Sequence, residues 1–206
     1  MNIFYLDKSF AKSAKYHCDK HVVKMILETA QLLSTAHREL DGDEYADSMG
    51  LYKATHKNHP SAVWVRSKKE SYDWTYMLFV KLCEEYTRRY HKEHKSSRLI
   101  PWLLVAPENI EPYDWSSIKD FVPPPQCMPD EYKHKDTVTA YRNYYKGEKA
   151  YFAKWNYSQV PQWWADDDYI YDIKCENCGD MTNAYEAFIV GDEYFCCDCC
   201  PDDYGE

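Results

Sequence analysis

Six cysteines crowd into the last part of the chain: Cys175, Cys178, Cys196, Cys197, Cys199 and Cys200. Cys175-Glu176-Asn177-Cys178-Gly179 is one C-x-x-C knuckle, and a second follows after 17 residues. Four thiolates on two tight turns make the tetrahedral set of a structural zinc site, and that spacing is strongly specific. The second knuckle can be read as Cys196 with Cys199 or as Cys197 with Cys200. The first pairing is preferred, because Glu193-Tyr194-Phe195 reads as a strand running into Cys196. No long apolar leader stands at the N-terminus, so a metal is favoured over a disulfide framework. The tail is therefore expected to be a small β-rich zinc ribbon holding one structural Zn2+. Closed sites of this kind carry no chemistry of their own.

Charge divides the chain at the same place. From residue 161 onward a single basic residue, Lys174, faces 13 Asp and Glu, whereas residues 1–160 hold 24 Lys and Arg against 21 Asp and Glu. The net charge of −9 thus hides a mildly basic body that also carries all eight histidines. Such a body permits nucleic-acid binding, and the acidic tail suits a protein partner. The organisation expected is a helical body over 1–160 and an acidic four-cysteine zinc-ribbon tail over 165–206. No apolar run approaches the roughly 18 residues of a membrane span, so a soluble cytoplasmic protein without a membrane partner is expected.

Within the body three helices are predicted. Val22, Val23, Ile26, Ala30, Leu33 and Ala36 recur at helical spacing over about 19–40, with Asp19 as the N-cap. His59-Pro60-Ser61 opens a second helix reaching Tyr90, and a third runs from near Asp136 to near Trp155, with Gly147 weakening its middle. Ile3–Leu6 reads as a short strand or a packed arm. The proline-rich stretch 101–129 is too long for an ordinary loop, so it is either functional or wrapped over the body.

Three polar constellations stand out. His21, Lys24, Glu28, Gln31 and Thr35 fall in one stripe of the first helix, with His17 a turn earlier. An imidazole, an amine and a carboxylate in line can act as acid, base or nucleophile. By spacing alone, a solvated polar face is the favoured explanation of the stripe. His56 and His59 precede the second helix, where free amides and cations suit a phosphate, although a capped loop with surface histidines fits equally well. Tyr141, Arg142, Tyr144, Tyr145 and Lys146 interleave rings with cations, as a surface that stacks bases does, although a Tyr-rich helix also packs well as core.

Together these segments resemble the bacteriophage pyrimidine-dimer DNA glycosylases of the endonuclease V type. In that family an aspartate, a histidine two residues on and a catalytic glutamate seven further lie on the first helix; Asp19, His21 and Glu28 reproduce the spacing. The family's aromatic-basic last helix has its counterpart in Tyr141–Tyr145. The resemblance implies a compact three-helix body, DNA as partner, and an enzyme acting on the N-glycosidic bond of a damaged or modified base. It also implies the host cytoplasm as location if the chain is phage-encoded. Glu28 would be the catalytic carboxylate, His21 would orient it or bind phosphate, and His17, Gln31, His56, His59 and the Tyr141–Lys146 segment would face the DNA.

The chain departs from the family at the nucleophile. There, a threonine amine exposed by removal of the initiator Met attacks C1′ of the sugar. Here Asn2 follows Met1, and a bulky second residue normally leaves Met in place. The first helix also begins about five residues later than in the family, which displaces the terminal amine. Leu27 and Gln31 replace the arginines that flank the family's glutamate. Either Lys24 substitutes as the amine or Glu28 activates a water or another nucleophile, and weak or absent AP-lyase activity is expected. The competing readings are a non-enzymatic nucleic-acid or protein adaptor with a zinc ribbon, and an enzyme of the same fold acting on a free nucleotide or nucleoside.

Overall fold

The computed structural model describes residues 1–113 and 121–165, and beyond them Asn177 and the backbone of four short strands. The chain divides into two compact units, Met1–Pro161 and Gln162–Glu206.

The first unit is helical. Its elements are α1 (Phe10–Tyr16), α2 (Asp19–Asp41), α3 (Asp43–Ser48), α4 (Pro60–Val65), α5 (Lys69–Tyr90), α6 (Ile100–Leu103) and α7 (Thr137–Lys149). The expected three-helix body is thus mainly α as anticipated but more divided. Among the described residues α2, α5 and α7 are the long helices, and four shorter ones join them. Val22, Met25, Ile26, Ala30, Leu33 and Ala36 of α2, which packs along α5, are buried, in keeping with the period read from the sequence. Val23 is not part of that stripe; it is 39% exposed beside Leu27.

The single helix expected from Pro60 to Tyr90 is broken in two. Lys68 is extended, the Lys69 amide donates to the carbonyl of Glu111 instead of continuing the ladder, and Ser67 Oγ bonds back to Trp64. Helix α7 starts where expected, with Asp136 accepting from the Thr139 amide at 2.8 Å, but stops six residues before Trp155. Trp155 is nonetheless buried, its indole N–H donating to the carbonyl of Tyr16.

A buried arginine ties the ends of three helices together. The Arg89 side chain is fully buried and donates to Glu85, Asp19 and the carbonyls of His17 and Lys15. It so satisfies the last turn of α1, whose carbonyls have no helical partner, and meets an acid at the start of α2. Asp19 also accepts from the Asn156 amide at 2.7 Å, while its own amide donates to the Lys154 carbonyl. The aspartate of the family-like spacing is a structural tie.

The N-terminal arm, Ile3–Leu6, forms no strand and is wholly buried. The proline-rich stretch wraps over the body: Val122 accepts from the Trp64 indole, and Pro125 and Cys127 bond to Tyr141 and Asn2. No helix of the described residues is long and apolar enough to cross a membrane.

In the second unit β1 (Asp172–Lys174) pairs antiparallel with β2 (Met181–Asn183), and β3 (Phe188–Val190) with β4 (Glu193–Phe195). Cys175, Cys178, Cys196, Cys197, Cys199 and Cys200 lie outside the described residues, and so does the expected zinc site.

Candidate active site

Helix α2 presents polar residues to an open pocket of about 330 Å3 bordered by the N-terminal arm, Cys127 and the end of α7. His21, Lys24 and Glu28 line it, together with Met1, Asn2, Phe4, Cys127, Tyr144, Lys149 and Phe152. Larger surface grooves exist, one of about 760 Å3 beside the C-terminal half of α5. The smaller pocket is singled out because it gathers three members of the α2 stripe, a carboxylate among them.

That carboxylate is Glu28, whose side chain is 15% exposed. Lys24 Nζ lies 3.2 Å from Oε1, one helical turn away, and the backbone nitrogen of Asn2 lies 3.3 Å from Oε2. The expectation that a late-starting helix displaces the N-terminus from Glu28 is therefore overturned. Helix α1 and the arm return residue 2 to the carboxylate. Asn2 is fixed there by its side chain. Its Nδ2 donates to the Cys127 carbonyl at 2.9 Å, and its Oδ1 accepts from the Ile3 amide and the Tyr141 hydroxyl.

The floor of the pocket is aromatic. Phe4 stacks on His21 at 4.5 Å, with Tyr144 nearly parallel to Phe4 at 6.2 Å and Phe152 edge-on to His21. Burial, reinforced by the nearby charges of His17, Lys24, Lys149 and Lys20, pushes His21 down to about 2. The ring is neutral at physiological pH and cannot bind a phosphate by charge. Its Nδ1 is buried without a hydrogen-bond partner. Cations sit around the mouth instead. Lys149 Nζ lies 4.5 Å over the Tyr144 ring and 3.3 Å from its hydroxyl, and Lys20 lies over Phe152.

The other residues singled out in the sequence are elsewhere. His17 is fully buried, bonded through Nδ1 to the Ser13 carbonyl at 2.7 Å, and burial lowers it to about 4; it cannot reach a ligand. Tyr141 and Tyr145 are core residues with no exposed surface. Tyr145 accepts from the Cys18 amide, and Tyr141 anchors the arm. Arg142 turns to the arm, donating to the Leu6 carbonyl at 2.9 Å and pairing with Asp7. These three are not free to stack or neutralise DNA, because α7 spends its inward face on packing. Lys146 is half-buried and Gln31 lies further along α2; neither lines the pocket.

The pair ahead of the second helix follows the capped-loop reading and not the phosphate one. His59 is itself the N-cap of α4, its Nδ1 accepting from the Ser61 amide at 3.2 Å, so its ring occupies the place foreseen for a phosphate. His56 is exposed and bonded to Thr55. Neither lines the pocket, although His59 lies near enough to Glu28 to feel its charge. Among the described residues no group of three or more His, Cys, Asp or Glu could hold a metal. Met1, Asn2, Phe4, Cys127 and Phe152 are the pocket residues that the sequence reading did not place at a site, whereas Lys149 belongs to the aromatic-basic segment it singled out. Their periodicity marks none of them; the interleaving of Lys149 with Tyr144 five residues earlier was the one available signal.

Residues 1–98, just under half of the chain, match the family model described as pyrimidine dimer DNA glycosylase. The matched segment contains the arm, α2 and α5, hence Asn2, His21, Lys24 and Glu28, but not Cys127, Tyr144, Lys149 or Phe152. No curated protein and no solved structure matches significantly.

Proposed function

We propose that this chain is a DNA glycosylase that cleaves the N-glycosidic bond of a damaged or modified base, a pyrimidine dimer being the first candidate. The observation that carries the reading is the Glu28 carboxylate, held between Lys24 Nζ at 3.2 Å and the residue 2 nitrogen at 3.3 Å inside a half-aromatic pocket. As the base departs, positive charge grows on the sugar, and a fixed, largely buried carboxylate stabilises that charge. At about 330 Å3 the pocket is at the small end of ligand sites, suited to one nucleotide drawn out of the stack and not to a duplex. Lys20 and Lys149 would meet the flanking phosphates.

The nucleophile follows from the state of residue 2. Where Met1 is attached, the Asn2 nitrogen is a peptide nitrogen whose lone pair is delocalised, so it cannot attack. Water then forms the bond to C1′ and gives its proton to Glu28, and the base leaves with the bonding pair. Base release with weak strand cleavage results. Where Met1 is removed, the same nitrogen becomes an amine at the position the family-like mechanism uses. In this reading Lys24 serves as the counter-ion of Glu28. The cysteine-rich tail would hold one structural zinc and offer an acidic face to a protein partner.

The test is incubation with duplexes carrying a cyclobutane dimer, an abasic site or a modified base, with base release and strand cleavage assayed separately. Base release from at least one damaged duplex, and none from an undamaged one, is expected. Failure to release any base would refute the reading.

A further inference from the structure

Gly147 sits within α7 with ordinary helical backbone, where glycine costs roughly 1 kcal/mol relative to alanine. The packing explains it. A Cβ there would lie within 2.6 Å of Tyr132 Cζ and Oη, so the glycine is the seat of the Tyr132 ring. Tyr132 ends a short 3-10 turn, Asp130–Tyr132, and its hydroxyl donates to Glu148 at 3.1 Å. From that seat its ring meets Tyr144 at 5.5 Å between centroids. Tyr144 in turn lines the Glu28 pocket and lies nearly parallel to Phe4.

We propose that Tyr132, seated on Gly147, is a positioning residue that sets the orientation of Tyr144, and that Tyr144 is the wall against which the extruded nucleotide packs. The inference rests on the glycosylase reading for the identity of the substrate but not for the geometry. Tyr144 is held on one side by Phe4, on another by Lys149, and from behind by Tyr132. Removing the Tyr132 support leaves the reacting groups at Glu28 untouched while loosening the wall. Ground-state binding is then lost, and the chemical step is not.

Gly147→Ala separates this role from a purely structural one. The atoms a methyl group would strike are the far end of a flexible side chain, so Tyr132 swings off while the helix itself gains. The melting temperature of Gly147→Ala should be equal to or above that of the parent. Its KM for damaged duplex should rise by about five- to tenfold, a fraction of what a lost base–aromatic stack is worth, with kcat within about twofold. Tyr132→Ala should match it, the double variant should be no worse than either single change, and Tyr132→Phe, which keeps the ring, should restore binding.

A readout independent of turnover accompanies the kinetics. The NMR shifts of the Phe4 ring protons feel the ring current of Tyr144, and should move in both Gly147→Ala and Tyr132→Ala. Unchanged KM and unchanged Phe4 shifts would overturn the proposal, as would a melting temperature of Gly147→Ala that falls along with its activity. If the parent releases no base, the glycosylase reading fails, and the Phe4 shifts alone decide the positioning claim.

Discussion

The backbone nitrogen of Asn2 and Oε2 of Glu28 lie 3.3 Å apart, at the two ends of a 26-residue separation that includes all of α1. This proximity makes the chemistry depend on how the N-terminus is processed. Parent protein whose mass shows Met1 in place should give weak trapping on abasic DNA with borohydride. Asn2→Thr, with a small second residue that permits removal of Met1, should trap strongly. A strong trapped complex from Met1-containing parent would contradict the assignment. Its disappearance in Lys24→Ala would make that lysine the nucleophile.

Glu28→Gln should keep the fold and the affinity for damaged duplex while lowering base release by at least about 100-fold, since the lost charge acts chiefly in the transition state. Parental rates from this variant would remove Glu28 from the chemistry.

How much of this was open to a reader of the sequence depends on which force placed each residue. The α2 core was legible because one-sided burial writes a 3.6-residue period, as Val22, Ile26 and Leu33 do. The break at Lys68 was not, because it depends on the Lys69 amide finding the carbonyl of Glu111, a partner no local pattern reveals. The polar stripe of α2 was legible as a stripe, yet its members part company. Glu28 faces the pocket, whereas Thr35 is buried and bonded to Thr55. The Tyr141–Lys146 run misled because rings interleaved with cations describe a core-facing helix as well as a nucleic-acid surface. Only the neighbours of Tyr141 and Tyr145 decide between them.

Two buried histidines should make the fold acid-sensitive. His17 and His21 are lowered by burial to about 4 and about 2, below the value of about 6.5 they have when unfolded. The unfolded chain therefore binds more protons as pH drops below 6.5, and stability falls with it. Above that pH the two rings contribute no pH dependence. Each ring adds a slope of at most about 1.4 kcal/mol per pH unit between its unfolded and folded values. Urea midpoints measured from pH 8 to pH 5 should be flat and then decline, and His17→Gln should shallow the decline. A midpoint constant down to pH 5 would show that the rings are protonated in the fold.

For the tail, metal analysis should find one zinc per chain. Chelation should loosen residues beyond 161 while leaving the helical circular-dichroism signal of the first unit intact, and Cys175→Ser should mimic it. A metal-free tail with native behaviour would rule the site out.

The bonds that fix residue 2 have a consequence in time. Asn2 Oδ1 is held by the hydroxyl of Tyr141, 139 positions further along the chain. At about 5–20 residues per second, a ribosome that has just made the arm needs roughly 7–28 s more to synthesise the residue that secures it. Until then Asn2 lacks the hydroxyl that completes the fixing of its side chain. The grip that places residue 2 against Glu28 is thus completed only from the far end of the first unit.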